Sequence, residues 1–274
     1  MKAIITADIC PLYVEKSTMS ELADEPLHGM IVEAISEESD GFWRLRTHYR
    51  YEGYAVPNSL LCDEGRVKYW ENAPKWTVWA PYLDVKEKPS VQAGNIAYCP
   101  RGGLLEKLGS DVILEDGYIE VGLPNGGTGF ARRAGIASQI VSWSKSDEAR
   151  LRDDLVRTAK MYLGVQYRWG GKTPLGIDCS GLTSMTYLLH NILIYRDADL
   201  RPGFEMNEIP FEQKKPGDLL FFRGHVVMYI GNDEYIHSTA YSEAVGVVIN
   251  SLDPASPIYR PGLMDRYIKT GSVF

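Results

Sequence analysis

Short runs of alternating hydrophobic and polar residues fill the first two thirds of the chain, separated by glycine, proline and asparagine. Residues 41–47 alternate regularly, and residues 29–35 do so less regularly. Alternation with a period of two is typical of a strand that buries one of its faces. Because several such strands follow one another closely, we predict small all-β barrels in this part of the chain.

Apolar residues three or four positions apart replace this pattern in the last third of the chain. One stripe ends at a glycine, which favours a helix C-terminus: Leu151, Leu155, Ala159, Tyr162 and then Gly164. The other stripe follows a cysteine: Leu182, Met185, Leu189 and Ile192. This spacing predicts one helix that ends near Gly164 and a second helix from Cys179 to about Asn191.

A β-hairpin is predicted after the second helix. Residues 225–231 form an apolar run that begins with His225, and residues 234–238 form a second run that contains His237. The short Gly-Asn-Asp segment between them favours a tight turn. The hairpin therefore places the two histidines on neighbouring strands, either directly opposite each other or one diagonal apart.

Cys179 stands at the start of the second predicted helix, behind a glycine-rich segment and after Asp178, which can act as the N-cap. A thiol at a helix N-terminus meets the positive end of the helix dipole and unpaired backbone N–H groups, so we expect its pKa to fall. A nucleophile of this kind needs a base. We predict that His225 is the base and that His237 orients it by a hydrogen bond.

The remaining cysteines and histidines show no comparable pattern. We interpret the other cysteines as small buried hydrophobic residues, too widely spaced for a zinc site: Cys10, Cys62 and Cys99. We interpret the other histidines as surface or helix-face residues: His28, His48 and His190. No metal and no organic cofactor is predicted for this chain.

Composition limits the classes of binding partner and the cellular compartment that can be expected for this protein. The formal net charge of the 274 residues is −7, which argues against nucleic acid as a partner. No run approaches the roughly eighteen apolar residues that a membrane span needs. The first eight residues are more typical of a first strand than of a signal peptide, and nothing indicates a disulfide framework. We therefore expect a protein of the reducing cytoplasm.

The motifs around the cysteine and the histidines resemble those of the NlpC/P60 cysteine peptidases. They are the Asp-Cys-Ser-Gly turn at Cys179, the Gly-His strand start at His225, the second histidine twelve residues later, and the segment from Pro216 to Phe222. The resemblance covers the chain from about residue 148 to its end. The whole-chain arrangement is similar to that of the γ-D-glutamyl-diamino-acid endopeptidases that recycle murein peptides.

The resemblance implies an α+β fold. A papain-like catalytic domain, with helices packed on an antiparallel sheet, is expected over residues 145–274. The phrase from Gly53 to Leu61 resembles the end of bacterial SH3-like domains, which implies one small all-β SH3-like barrel over residues 1–66. A second, degenerate SH3-like barrel is expected over residues 67–144.

The resemblance also implies which residues of the catalytic domain bind substrate. Asp178 would pair with the free amine of an N-terminal L-alanine, in addition to capping the helix. Tyr167 and Trp169 correspond to pocket aromatics, and the Tyr167 hydroxyl would donate to the oxyanion together with the Cys179 backbone N–H. Ser180 matches a serine whose hydroxyl holds the α-carboxylate of the γ-D-glutamyl residue.

Three more substrate contacts are implied. Arg196 resembles an arginine that offers a bidentate guanidinium to the same carboxylate. The chain departs from the family here, because Tyr195 and Ala198 stand where proline and serine are common. In the first barrel, Tyr51 matches a tyrosine that faces the substrate, and Glu21 is a candidate for an acid that meets the amine. That barrel is expected to restrict the site to short peptides with a free amine.

We therefore expect a cysteine endopeptidase that hydrolyses the γ-D-glutamyl-diamino acid bond of murein tri- and tetrapeptides through a thioester. One alternative is an exported hydrolase that acts on intact peptidoglycan stems, with the barrels as wall anchors. Another is an amidase or acyltransferase with the same cysteine and histidine. A non-catalytic binder of muropeptides is least favoured, because nucleophile and base are both present. The preference for meso-diaminopimelate or lysine, and the oligomeric state, stay open.

Overall fold

The structure is a computed structural model that describes residues 1–109, 112–241 and 244–274. The chain divides into two compact units, Met1–Gln139 and Ile140–Phe274, each with its own hydrophobic core. Among the described residues, no helix is both long enough and apolar enough to cross a membrane.

The N-terminal unit begins with a seven-stranded sheet whose paired strands all run antiparallel. Its strands are β1 (Lys2–Ile5), β2 (Leu12–Tyr13), β3 (Leu22–Asp24), β4 (Ile31–Glu37), β5 (Trp43–Arg46), β6 (Glu52–Ala55) and β7 (Leu60–Leu61). They lie in the order β3-β2-β6-β5-β4-β1-β7. In β4, Val32 and Ala34 are buried whereas Glu33 and Ile35 are exposed, so the predicted alternation does separate a core face from a solvent face.

A second seven-stranded antiparallel sheet completes this unit. Its strands are β8 (Lys75–Val78), β9 (Tyr82–Lys86), β10 (Asn95–Pro100), β11 (Leu104–Lys107), β12 (Tyr118–Gly122), β13 (Thr128–Arg132) and β14 (Ile136–Ser138), in the order β10-β9-β13-β12-β11-β8-β14. Cys99 is fully buried in its core, and Cys10, in the segment between β1 and β2, is fully buried as well. The interpretation of these two cysteines as buried hydrophobic residues is confirmed, whereas Cys62 is only half-buried.

A helix that the sequence analysis did not predict, α1 (Glu64–Asn72), lies between the two sheets in the chain. The Asp63 carboxylate caps it by accepting a hydrogen bond from the Arg66 N–H at 2.6 Å. Its only buried residues are Val67 and Trp70, which are too few to produce a helical stripe in the sequence. The boundary predicted after residue 66 therefore falls within a helix.

The C-terminal unit combines two helices with a six-stranded antiparallel sheet. Helix α2 (Glu148–Lys160) comes first, and a two-stranded ladder, β15 (Lys172–Thr173) and β16 (Gly176–Ile177), leads into helix α3 (Cys179–Leu188). The sheet contains β17 (Asn207–Ile209), β18 (Leu219–Phe222), β19 (His225–Gly231), β20 (Glu234–Tyr241), β21 (Ala244–Ser251) and β22 (Tyr267–Ser272), in the order β17-β22-β18-β19-β20-β21. Helix α3 packs against β19 and β20, and α2 packs against α3.

Both helices follow the predicted apolar spacing. Helix α2 buries Leu151, Leu155 and Ala159, and Gly164 beyond it has a φ of 80°, the left-handed conformation common after a helix. Helix α3 ends at Leu188, earlier than predicted. The chain turns there instead of continuing as a helix, with a φ of 59° at Asn191.

The segment before β18 is anchored to both helices. Arg152 on α2 donates to the Asp218 carboxylate at 2.8 Å, and both side chains are buried. The Tyr187 hydroxyl on α3 donates to the Gly217 carbonyl, where a φ of 93° favours glycine. The Pro-Gly-Asp sequence is therefore a turn that fixes the start of β18 against the helices.

Strands β19 and β20 form the predicted hairpin. Its two turn residues, Asn232 and Asp233, have φ values of 53° and 55°. Positive φ at both positions defines a type I′ turn, whose twist matches that of the flanking strands. The turn chemistry therefore sets how the two histidine-bearing strands face each other.

Two histidines interpreted as surface or helix-face residues are buried, so that interpretation is wrong for both. The His28 carbonyl accepts from the Leu104 N–H at 2.8 Å, between the two sheets of the N-terminal unit. His190 lies between α2 and the end of α3, with its Nε2 2.9 Å from the Thr158 hydroxyl. Burial lowers the pKa of both imidazoles. His48 is half-buried.

Candidate active site

Cys179 is the first residue of α3, and its residue exposure is 8%. As predicted, the Asp178 carboxylate caps the helix, accepting from the Gly181 N–H at 2.5 Å. Gly181 lies directly on the glycine-rich segment, because a Cβ there would stand 2.2 Å from the Gly171 carbonyl oxygen. Two backbones thus approach more closely than any side chain allows, which explains the glycines on both sides of the cysteine.

Arg196 is buried against the same turn, with 1% of its surface exposed. Its Nη1 and Nη2 donate to Oδ1 and Oδ2 of Asp178 at 3.0 and 3.1 Å, and Nη2 also donates to the Gly170 carbonyl at 3.0 Å. This is a bidentate guanidinium–carboxylate pair. The expectation that Arg196 also offers its guanidinium to a substrate carboxylate stays a prediction. A buried guanidinium requires an anionic partner inside the protein, and Asp178 is that partner.

Ser180 belongs to the same network. Its hydroxyl donates to Asp178 Oδ1 at 3.2 Å and accepts from Arg196 Nη1 at 2.9 Å. Asp178 Oδ2 accepts a further hydrogen bond from the Gly170 N–H at 2.8 Å. We name Asp178, Ser180 and Arg196 the turn network. The predicted contacts of Asp178 with an amine and of Ser180 with a carboxylate stay predictions, and each would share a group that already has protein partners.

The hairpin register decides how the two histidines are placed. Met228 pairs with Ile236, so His237 lies one diagonal away from His225. Their rings meet edge to face, with His225 Nε2 2.7 Å from His237 Nδ1. The structure therefore contains the hydrogen bond expected between these two residues, in the diagonal arrangement.

Asn250 on β21 contacts the other side of the fully buried His237 ring, with Oδ1 2.9 Å from His237 Nε2. The Asn250 Nδ2 donates to the Ile258 carbonyl at 2.8 Å, which identifies the other end of the amide as the oxygen. Since an amide oxygen only accepts, His237 Nε2 carries the proton and His237 Nδ1 is an acceptor. His225 Nε2 must then donate to it. The Nδ1 of His225 is left unprotonated, as a general base must be.

Sequence reasoning did not find Asn250. It lies opposite Tyr235 in the β20–β21 ladder, and its contact with His237 is again diagonal. One signal was available, because Asn250 is the polar residue that ends the apolar run from Val247 to Ile249. We name His225, His237 and Asn250 the histidine relay.

The Cys179 sulfur lies beside the backbone N–H groups of Val226 and Ser180, and Val226 directly follows His225. Burial, and after it the negative charge of Asp178, raises the pKa of the Cys179 thiol to about 11. The prediction of a lowered thiol pKa is therefore wrong. The N–H groups act in the predicted direction but do not outweigh burial. Cys179 rests as a thiol, and a base must remove its proton when it attacks.

Burial also lowers the pKa of both active-site histidines, that of His225 well below its usual range and that of His237 to about 4. For His225, the charges of Arg260 and Arg266 act in the same direction. Both imidazoles are therefore neutral near pH 7. A protonated thiol beside a neutral imidazole is the starting state for general base catalysis.

Tyr167 forms a bridge with Ile177, two residues before the nucleophile. Burial, followed by the nearby charges of Cys179 and Asp178, raises the pKa of the Tyr167 hydroxyl far above its usual value. The hydroxyl therefore keeps its proton near the sulfur. It is suited to donate to a negative charge that develops there.

The other predicted contacts are less enclosed. Trp169 is 62% exposed. Tyr51 and Glu21 belong to the N-terminal unit, where Tyr51 is half-buried and Glu21 is exposed. Their contacts with substrate stay predictions. Within the described ranges, no three histidine, cysteine, aspartate or glutamate side chains are grouped to hold a metal ion.

Known proteins share this site and this architecture. Residues 164–269, which include Cys179 and the histidine relay, match the NlpC/P60 family. Dipeptidyl-peptidase 6 of Lysinibacillus sphaericus is 38% identical over 274 residues, which is 100% of each chain. The chain belongs to the NlpC/P60 family. This NlpC/P60 protein is a cysteine peptidase, and Cys179 is the cysteine at the site just described.

Two further similarities extend the comparison. Over 125 residues, the NlpC/P60 protein is 37% identical to the gamma-D-glutamyl-L-lysine dipeptidyl-peptidase of Bacillus cereus, covering 42% of this chain and 34% of that one. The crystal structure of an NlpC/P60 family protein from Bacillus cereus has a TM-score of 0.79 and 24% identity, with 98% of each chain covered. The NlpC/P60 protein therefore shares its fold with that structure along nearly the whole chain.

Proposed function

We propose that this protein hydrolyses the γ-D-glutamyl-diamino acid bond of short murein peptides that carry a free N-terminal L-alanine. The observation that carries the proposal is the histidine relay, which leaves His225 Nδ1 as an unprotonated base, next in the chain to Val226, whose backbone N–H lies beside the buried Cys179 thiol. The end-to-end relationship to Dipeptidyl-peptidase 6 and the shorter one to a gamma-D-glutamyl-L-lysine dipeptidyl-peptidase support this choice of bond.

In the first step, the Cys179 sulfur attacks the γ-carbonyl carbon of D-glutamate while its proton passes to His225 Nδ1. The tetrahedral intermediate then breaks its C–N bond, and His225 returns this proton to the nitrogen of the departing diamino acid. A thioester between Cys179 and the L-Ala-γ-D-glutamyl group remains. No atom changes its oxidation state in this step.

In the second step, His225 removes a proton from water, and the resulting hydroxide attacks the thioester. The C–S bond breaks, and the sulfur leaves with the proton that His225 held. L-Ala-D-Glu is released, and the free thiol is restored. The Tyr167 hydroxyl and the Cys179 backbone N–H are the oxyanion donors that we propose for both steps.

The turn network and the N-terminal unit supply the specificity in this proposal. Asp178 would add the L-alanine ammonium to its existing partners, and Ser180 would hold the α-carboxylate of the glutamyl residue. The N-terminal unit would contain two SH3-like barrels, with Tyr51 and Glu21 as the substrate contacts that we propose there. The two separate seven-stranded sheets support the assignment of two barrels.

The reducing cytoplasm is the compartment that we propose. Cys179 must remain a thiol to act, and all four cysteines of the chain are free. Short peptides released from the wall would be the substrates there. This fits a function in recycling murein peptides.

The test is mass-spectrometric digestion of L-Ala-γ-D-Glu-meso-diaminopimelate. The wild type should release L-Ala-D-Glu, the Cys179→Ala variant should release none, and an N-acetylated copy of the peptide should resist the wild type. Equal cleavage of the acetylated peptide would instead indicate a wall hydrolase. Failure to cleave either peptide would favour an amidase or acyltransferase and overturn the proposal.

A further inference from the structure

A cavity of about 310 Å³ lies beside the histidine relay, along β20 and β21. Residues from both strands and from the segment after β21 line it, among them Thr239, Tyr241, Asn250, Tyr259 and Arg260. Asn250 belongs to both the cavity wall and the relay. Thr239 lies two residues after His237 on β20, so the two side chains share one face of the sheet.

Arg260 is the cation of this cavity. One guanidinium nitrogen, Nη1, donates to the Thr239 hydroxyl at 3.2 Å, and the guanidinium lies 4.5 Å from the centre of the Tyr241 ring. These two contacts hold the side chain in one place. Among the described residues, no carboxylate lies within ion-pair distance of Arg260.

The contrast with Arg196 shows what this arrangement can do. Arg196 is buried, and Asp178 satisfies its charge with two parallel hydrogen bonds. Arg260 is half-buried and lines an open volume, with one of its five N–H donors given to Thr239. A planar fork of this kind is suited to a carboxylate.

The cavity also adjoins the reacting group. The charge of Arg260 lowers the pKa of both His225 and His237, which places it within electrostatic reach of the base. His225 is the group that hands a proton to the departing nitrogen in the proposed reaction. A group bound near Arg260 would lie near His225, and the leaving half of the substrate is the half to which His225 hands that proton.

We propose that this cavity is a subsite for a carboxylate of the leaving diamino acid residue, with Arg260 as the binding residue and Tyr241 and Tyr259 packing on the adjoining chain. The inference rests on the proposed function and extends it to the leaving side. Three carboxylates have this chemistry: the α-carboxylate of the diamino acid, the side-chain carboxylate of meso-diaminopimelate, and the terminus of a following D-alanine.

Four peptides distinguish these sources: L-Ala-γ-D-Glu-L-Lys, its C-terminal amide, L-Ala-γ-D-Glu-meso-diaminopimelate, and the latter extended by D-alanine. We expect Arg260→Gln to lower kcat/KM about tenfold to a hundredfold, chiefly through KM, on every peptide that carries the recognised carboxylate. On peptides without it, Arg260→Gln should change the rate only by the common factor that loss of a charge acting on His225 produces. Arg260→Lys, which keeps the charge but not the fork, should recover part of the loss.

Arg266→Gln is the matched control, because Arg266 also acts on the pKa of His225 but does not line the cavity. It should change all four rates by one common factor. Loss of the same factor on all four peptides in Arg260→Gln would overturn the subsite while leaving the proposed function intact. Failure of the wild type to cleave any of the four would overturn both. Thermal unfolding of each variant separates these outcomes from misfolding.

Discussion

The two sides of the Cys179 thiol are built in opposite ways. On the helix side, Asp178 accepts five hydrogen bonds from four residues, so that the turn network is held by several bonds at once. On the sheet side, the histidine relay is a linear chain of hydrogen bonds, in which the direction of each bond determines the direction of the next. The turn network therefore fixes the position of the sulfur, and the relay fixes the position of a proton. Damage to the first should appear in stability, and damage to the second in rate.

The largest effect should come from removing the base. We expect His225→Ala to reduce kcat/KM by roughly 10²- to 10⁴-fold, the usual contribution of a positioned general base, with little change in thermal unfolding. Steady-state kinetics on L-Ala-γ-D-Glu-meso-diaminopimelate measures the loss. Near-wild-type turnover would remove His225 from the chemistry.

Arg196→Met should instead act on the fold. It leaves the buried Asp178 carboxylate without its cation, and breaking a buried pair in this way costs about 3–5 kcal/mol of the free energy of unfolding. Chemical denaturation checks this. Arg201→Met is the control, since Arg201 is a surface cation whose side chain is 57% exposed, and its loss should cost well under 1 kcal/mol. Equal effects of the two substitutions would contradict the assignment of Arg196 to the turn network.

Asn250→Leu should slow the reaction without unfolding the protein. The substitution removes the acceptor that holds the proton on His237 Nε2, so we expect kcat to fall about tenfold while KM changes little. Asn250→Asp keeps an acceptor at this position and should retain more activity. If the two variants lost activity equally, the tautomer argument would be wrong.

The smallest effect is the dependence on pH. Since the folded pKa of His237 is about 4 and its usual value is 6.5, the unfolded chain binds more protons between these values. Its contribution to stability is fully present above about pH 6.5 and is lost as pH falls towards about 4. The melting temperature should fall across this window, and the fall should be smaller in His237→Gln. The acid limb of kcat/KM should lie below pH 6.5, because His225 remains neutral there.

The parts of the site that local chemistry dictates could be predicted from the sequence. The cap at Asp178, the helix start at Cys179 and the tight turn after β19 each depend on residues close together in the chain. The spacing of His225 and His237 then followed from the hairpin, apart from its register. These features need no knowledge of distant contacts.

The rest depends on contacts between distant parts of the chain. The contact between Asn250 and His237 depends on the β20–β21 register. The ion pair between Asp178 and Arg196 joins residues that are eighteen positions apart in the chain. The thiol pKa was predicted with the wrong sign, because the helix N-terminus is visible in the sequence and the depth of burial is not. Helix α1 was missed because only two of its residues face a core.

The hydrogen bond from Asn250 to the Ile258 carbonyl has a wider consequence. Through this bond, the backbone of a segment outside the sheet fixes the orientation of the Asn250 amide. The amide orientation in turn sets which nitrogens of His237 and His225 carry protons. Side-chain identity at position 258 is irrelevant to this control, since every amino acid presents the same carbonyl. Which nitrogen of the His225 ring is free to receive a proton therefore depends on the backbone conformation of this segment.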